Sequence, residues 1–149
     1  MDNAITILVG NELRGTLPTA NGSLCGIPFD AGRDVKFNPM DKLMTRIGPN
    51  FRDDVCKWYR GAIIDSGVMY CPPSNSRRRG ILKIDTNTDT VTELDRNLLP
   101  KRGNCMWLSC AATLDGCIYF MPFNARRVMK LDPNNGDAIS SVGDDSVRD

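Results

Sequence analysis

The chain has 149 residues, 41% of them hydrophobic, and its 19 lysines and arginines against 18 acidic residues leave a formal charge of +1. A surface so balanced provides no global field to recruit nucleic acid or an anionic membrane, and no apolar run approaches the ~20 residues of a membrane span. Histidine is absent, which removes Ser-His-Asp and Cys-His catalysis, histidine metal ligation and the ordinary pH switch together.

The start, Met1 to Gly10, has no basic n-region and too short an apolar run for a signal peptide. No export is expected, and Ile5 to Val9 is a candidate added strand. The first unit then opens on a short apolar run, Gly15-Thr16-Leu17. Asn21-Gly22 follows as a hairpin turn, because glycine supplies the positive φ that a tight connection needs. A second strand over Ser23 to Ile27 stops at Pro28, which cannot donate to a ladder. After a polar loop come a third strand at Val35-Lys36-Phe37-Asn38, an Asn-Pro corner, and a fourth strand over Leu43 to Ile47, rich in residues that suit a half-wet sheet edge.

The second unit repeats this grammar. Gly61-Ala62-Ile63-Ile64 leads to the Ser66-Gly67 turn, Val68 to Cys71 runs to Pro73, and Ile81 to Asp85 and Thr90 to Leu94 follow. In the third, Cys110-Ala111-Ala112-Thr113 leads to Asp115-Gly116, Cys117 to Met121 runs to Pro122, and Val128 to Asp132 and Ala138 to Val142 complete the set. Lys36, Lys83 and Lys130 are expected to face water from the third strands. The aligned prolines are 45 residues apart (73 minus 28) and then 49 (122 minus 73). A strand-patterned period of that length is the mark of propeller blades. Cys56-Lys57-Trp58 and Cys105-Met106-Trp107, also 49 apart (105 minus 56), carry the repeat into the connection between units.

The pattern of W-x-x-G, an Asn-Gly-type turn, G-x-I-Y-x-x-P-x-N and a V-x-x-I-D-P-x-T-x-x-V strand pair resembles the kelch-like and related β-propeller repeats of large eukaryotic proteins. The resemblance runs over roughly residues 13 to 143 and implies four-stranded blades with a binding or scaffolding role. The expectation is therefore an all-β chain forming a single propeller segment over 1–149, with antiparallel four-stranded blades at 13–48, 58–94 and 107–143. Propellers close with typically 4–8 blades. Three blades thus predict a partial propeller that continues in a longer chain, or half of a six-bladed ring completed by a second copy.

Cys25, Cys71, Cys110 and Cys117 fall at small core positions. Cys56 and Cys105 share a repeat position, and equivalent residues of neighbouring blades lie beyond the about 7 Å reach of a disulfide. Free thiols point to a reducing compartment, and a cytoplasmic location is expected. Asp30, Asp65, Asp85, Asp115 and Asp132 sit at turns, where aspartate bonds its own backbone. Asp53-Asp54 and Asp144-Asp145 follow fourth strands and read as junction residues. Trp58 and Trp107, matched by Leu13, are expected just before the innermost strands, packed between blades.

The functional expectation is a non-enzymatic module for protein interaction or ligand binding, with no catalytic residue, metal or cofactor assigned. Its site is placed on the rim of the loops after the second strands. Asp30, Asn75 and Asn124 are the equivalent polar residues there, with Arg33, Arg78 and Arg127 beside them to grip phosphate, carboxylate or an acidic protein segment. The same residues can serve as turn caps. The alternatives are a metal-dependent propeller hydrolase of lactonase type, with carboxylates from several blades on one axial ion, and an inactive fragment of a larger propeller protein. The partner is a protein or a small anionic ligand, with neither nucleic acid nor membrane.

Overall fold

A computed structural model describes residues 13–51, 54–100 and 103–143. The possible strand at Ile5 to Val9, Asp53, and the Asp144-Asp145 pair lie outside the described residues. Among the described residues twelve strands form three antiparallel sheets of four, each in chain order. The first holds β1 (Leu13–Pro18), β2 (Leu24–Pro28), β3 (Asp34–Asn38) and β4 (Leu43–Ile47). The second holds β5 (Ala62–Ile63), β6 (Val68–Cys71), β7 (Leu82–Asp85) and β8 (Thr90–Glu93). The third holds β9 (Trp107–Ala112), β10 (Ile118–Pro122), β11 (Val128–Asp132) and β12 (Ala138–Val142). These are the blades of a propeller fold, referred to below as blades 1, 2 and 3.

The first hairpin of each blade is the same object. Thr19, Ile64 and Thr113 donate to the carbonyls of Ser23, Val68 and Cys117 at 2.8, 3.0 and 3.0 Å, and Gly22, Gly67 and Gly116 donate back to the first three. The glycines have φ of 82°, 84° and 77°. Asn21, Ser66 and Asp115 are not left-handed, so the connection is a type I turn closed by a left-handed glycine, not a two-residue Asn-Gly turn. Pro28 and Pro122 end their strands as expected, whereas β6 stops at Cys71, ahead of both Pro72 and Pro73.

The side-chain period of two sends alternate residues to opposite seams. Met69 and Cys71 join Cys25, Ile27, Ile47, Trp58, Leu82 and Ile84 in a core between blades 1 and 2. Tyr70 joins Ile81, Trp107, Ile118, Phe120, Met129 and Leu131 between blades 2 and 3. Blade 2 is therefore covered on both faces, and each fully buried aliphatic side chain in these seams contributes about 1.5–3 kcal/mol.

Both tryptophans pack between blades as expected, and Trp58, bridged to Pro73, precedes β5. Two expectations need correcting. Trp107 lies within β9 and not ahead of it. Lys36 and Lys83 do not stand on a wet face. They lie at the seams, with Nζ 2.7 Å from Asp89 and 2.5 Å from Asp137 of the following blade.

Candidate functional site

All three inner strands carry one residue more than their partners. Leu13 pairs with Pro28 and Thr16 with Gly26, so Arg14 and Gly15 face Ile27 alone. Trp58 pairs with Pro73 and Ala62 with Tyr70, so three residues face Cys71 and Pro72. Ser109 pairs with Met121 and Trp107 with Pro122, leaving Leu108 with none. A bulge of this kind re-aims a side chain out of the ladder, and Gly15 accommodates it at φ 89°.

The three bulges surround one hollow of about 310 Å³, lined by Arg14, Leu17, Ile27, Tyr59, Arg60, Ser109 and Cys110 among others. Among the described residues none that lines it is acidic. The Arg14 guanidinium stands 5.0 Å from the Phe29 ring centre and 5.5 Å from that of Tyr59, while Arg60 approaches the Tyr59 ring at 6.0 Å. The T-shaped contact of Phe29 with Tyr59, 5.9 Å between centres, fixes that platform. Two planar forks over one aromatic ring form a cradle for an anionic group. A wider hollow of about 960 Å³ at the hairpin ends of blades 2 and 3 is lined by turn residues such as Asp65, Ser66 and Asp115.

The loops after the second strands are tied to the blade junctions. Segment 54–58 bonds on one side to blade 1, Lys57 N to Phe29 O at 3.0 Å, and on the other to blade 2, Ser74 N to Lys57 O at 2.8 Å. Segment 103–107 repeats this with Cys105 N to Ser74 O at 2.6 Å and Phe123 N to Met106 O at 2.8 Å. Asp30 accepts from Cys56 N at 2.9 Å, Asn124 donates to Asn104 O at 3.0 Å, and Asn75 accepts from Arg77 N at 3.1 Å. Arg78 lies 3.2 Å from Asp54 with its side chain 65% exposed. Arg33 and Arg127 are exposed, and the Arg127 carbonyl accepts from the Trp107 indole at 3.3 Å. The six rim residues thus sit on three successive loops, their polar members bonded into turns and junctions. Burial opposes the Asp54 charge, but hydrogen bonds from Arg78 and Arg79 outweigh it and hold the carboxyl below its usual range.

Sequence reasoning missed Asp34 and Lys57. Both are fully buried, and neither carboxyl oxygen of Asp34 has a hydrogen-bond partner. Burial pushes this carboxyl up to about 7, against the opposing pull of its own backbone N–H and, more weakly, of the Lys57 ammonium. A signal was present. Asp34 stands where the other blades have Ile81 and Val128, and Lys57 stands where blade 3 has Met106. All six cysteines are free thiols. Among the described residues no three carboxylates or thiols cluster as metal ligands, and no helix is long and apolar enough to cross a membrane.

The fold defines a class, the β-propeller blade, and solved structures share it. One is a catalytically inactive histidine-to-alanine variant of virginiamycin B lyase from Staphylococcus aureus with quinupristin, at TM-score 0.69 and 10% identity over 89% of this chain and 41% of that one. A streptogramin B lyase matches at 0.67 and 16%, over 87% and 40%. The extracellular domain of a hybrid two-component system from B. thetaiotaomicron matches at 0.65 and 14%, over 95% and 18%. The chain spans about two fifths of the length of these lyases. At such identities the likeness is one of fold. No family model and no curated protein matches the sequence, so the kelch resemblance rests on the quoted motifs alone.

Proposed function

We propose that the chain is part of a non-enzymatic β-propeller binding module whose ligand carries an anionic group, held by Arg14 and Arg60 over the Tyr59 ring. The observation that carries this reading is the hollow of about 310 Å³ with two guanidiniums and, among the described residues, no acidic one in its lining. Lyase chemistry of the kind that a histidine-to-alanine change inactivates has no counterpart in these 149 residues, which contain no histidine. Six free thiols suit a reducing, cytoplasmic setting. Calorimetric titration with inorganic phosphate and with citrate tests the site. Loss of at least about tenfold in affinity in the Arg14→Ala/Arg60→Ala variant is expected, and unchanged binding of both anions overturns it.

A protein partner on the rim is the second reading, favoured by Phe123, 66% exposed, close in sequence to the exposed Arg127. Charge reversal at Arg78 and Arg127 then abolishes capture of a protein partner and leaves anion titrations unchanged. The opposite pattern assigns binding to the inner strands.

A further inference from the structure

The third strand of each blade carries a lysine opposite the same position of the second strand: Lys36 opposite Cys25, Lys83 opposite Tyr70, Lys130 opposite Tyr119. Each blade also has a left-handed, non-glycine residue immediately before its fourth strand: Lys42 at φ 59°, Asp89 at 57° and Asp137 at 61°. These two features meet at both seams. Lys36 of blade 1 binds Asp89 of blade 2 at 2.7 Å. Lys83 of blade 2 binds Asp137 of blade 3 at 2.5 Å, and the second oxygen of Asp137 accepts from Tyr70 Oη at 2.6 Å. A left-handed backbone points this side chain across the seam, and aspartate is among the few residues that tolerate it.

Among the described residues the outer members of the series meet no carboxylate of another blade. On blade 3, Tyr119 and Lys130 reproduce the Tyr70–Lys83 pair, with the ammonium 5.9 Å from the ring centre against 5.5 Å in blade 2. They have in place of a following blade the carboxylate of Asp115 in their own hairpin, 3.2 Å from Tyr119 Oη and 4.0 Å from Lys130 Nζ. Met121, on the same face of β10, is 51% exposed. At the other end, blade 1 presents Lys42 where blades 2 and 3 present aspartate.

We propose that the open face of blade 3 seats a further four-stranded blade bearing a carboxylate at the residue before its fourth strand. Blade 1 of a second copy is the wrong occupant. Two copies closing a six-bladed ring would bring Lys130 of one to Lys42 of the other at both seams, and like charges so placed repel where the internal seams attract. Of the two ways of covering three blades, the charge pattern selects further blades over a homodimer.

A charge-exchange cycle on the full chain tests this by sedimentation equilibrium. Lys42→Asp turns blade 1 into a carboxylate-bearing blade, Lys130→Asp makes a complementary pair from the other side, and the double variant restores like charges. One favourable contact corresponds to about fivefold in affinity, and two per ring to about 25-fold. Each single variant is therefore expected to self-associate about 25-fold more tightly than the wild-type chain, with the double variant returning to the wild-type value. Melting curves taken at a dilution where all four proteins are monomeric check that each is folded, since association itself raises the apparent stability. Wild-type dimers as tight as those of the single variants would install a second copy as the occupant. Equal association of all four, or none in any, would show that this face does not read the carboxylate.

Discussion

Asp34→Asn removes a buried charge at nearly constant shape. In the folded chain the carboxyl lies between blades 1 and 2, fully buried with both oxygens unbonded, and titrates near 7. Unfolded, it titrates near its ordinary 3.8. A raised folded value means that the native state binds the proton more tightly, so wild-type stability is complete below about 4 and falls as pH rises through 7. The rise from 3.8 to about 7 corresponds to about 4 kcal/mol at ~1.4 kcal/mol per pH unit. The Asn variant carries no such charge. It should match the wild type near pH 4 and exceed it at pH 8 by several kcal/mol, roughly 10 °C in Tm for a chain of this length. Thermal melts followed by circular dichroism at pH 5, 6, 7 and 8 measure this, in a range where Asp54, held below its usual range, stays ionised. Parallel Tm profiles for the two proteins would refute the reasoning, because no pH-dependent penalty would then reside at Asp34.

Trp58→Ala should destabilise by about 3–5 kcal/mol, since the indole is fully buried and donates to Gly80 O at 2.9 Å; urea unfolding checks it. Gly67→Val meets both a φ of 84° and an Asn87 side chain 2.7 Å from the new Cβ, and should lose about 1–3 kcal/mol. Thr92→Val, on the exposed edge of β8, should stay within about 0.5 kcal/mol, and equal melting shifts for the two would contradict the hairpin assignment. In native Ellman titration the exposed Cys56 should react first. Cys25 and Cys110, both pushed up by burial to about 12, should stay silent until the chain unfolds.

Turn chemistry made the blades legible. Each Gly following Asn, Ser or Asp has the positive φ that its position announced, and β4, β11 and β12 begin and end where their residue pattern changes. Short-range rules reach that far. The hollow was not legible, because its residues are placed by one-residue insertions that break the period of two, so Arg14, Tyr59 and Arg60 match no template. The rim arginines were visible as runs of charge, yet the bonds from Asp30 and Asn124 to the junctions join residues 26 and 20 apart in sequence, which local pattern cannot supply. Lys36 and Lys83 alternate as wet residues should. Only the arrival of Asp89 and Asp137 from the next blade turns them into seam residues.

The two tryptophans divide between the two seams, Trp58 in the core shared by blades 1 and 2 and Trp107 in the core shared by blades 2 and 3. Among the described residues the buried side chains form two separate clusters, one per seam, as in linear repeat assemblies whose neighbouring interfaces open as units. The chain therefore carries one tryptophan per seam. Replacing either indole with phenylalanine leaves one seam reported by the remaining tryptophan, and comparing its transition in the two variants measures how strongly blade 2 transmits the loosening of one seam to the other.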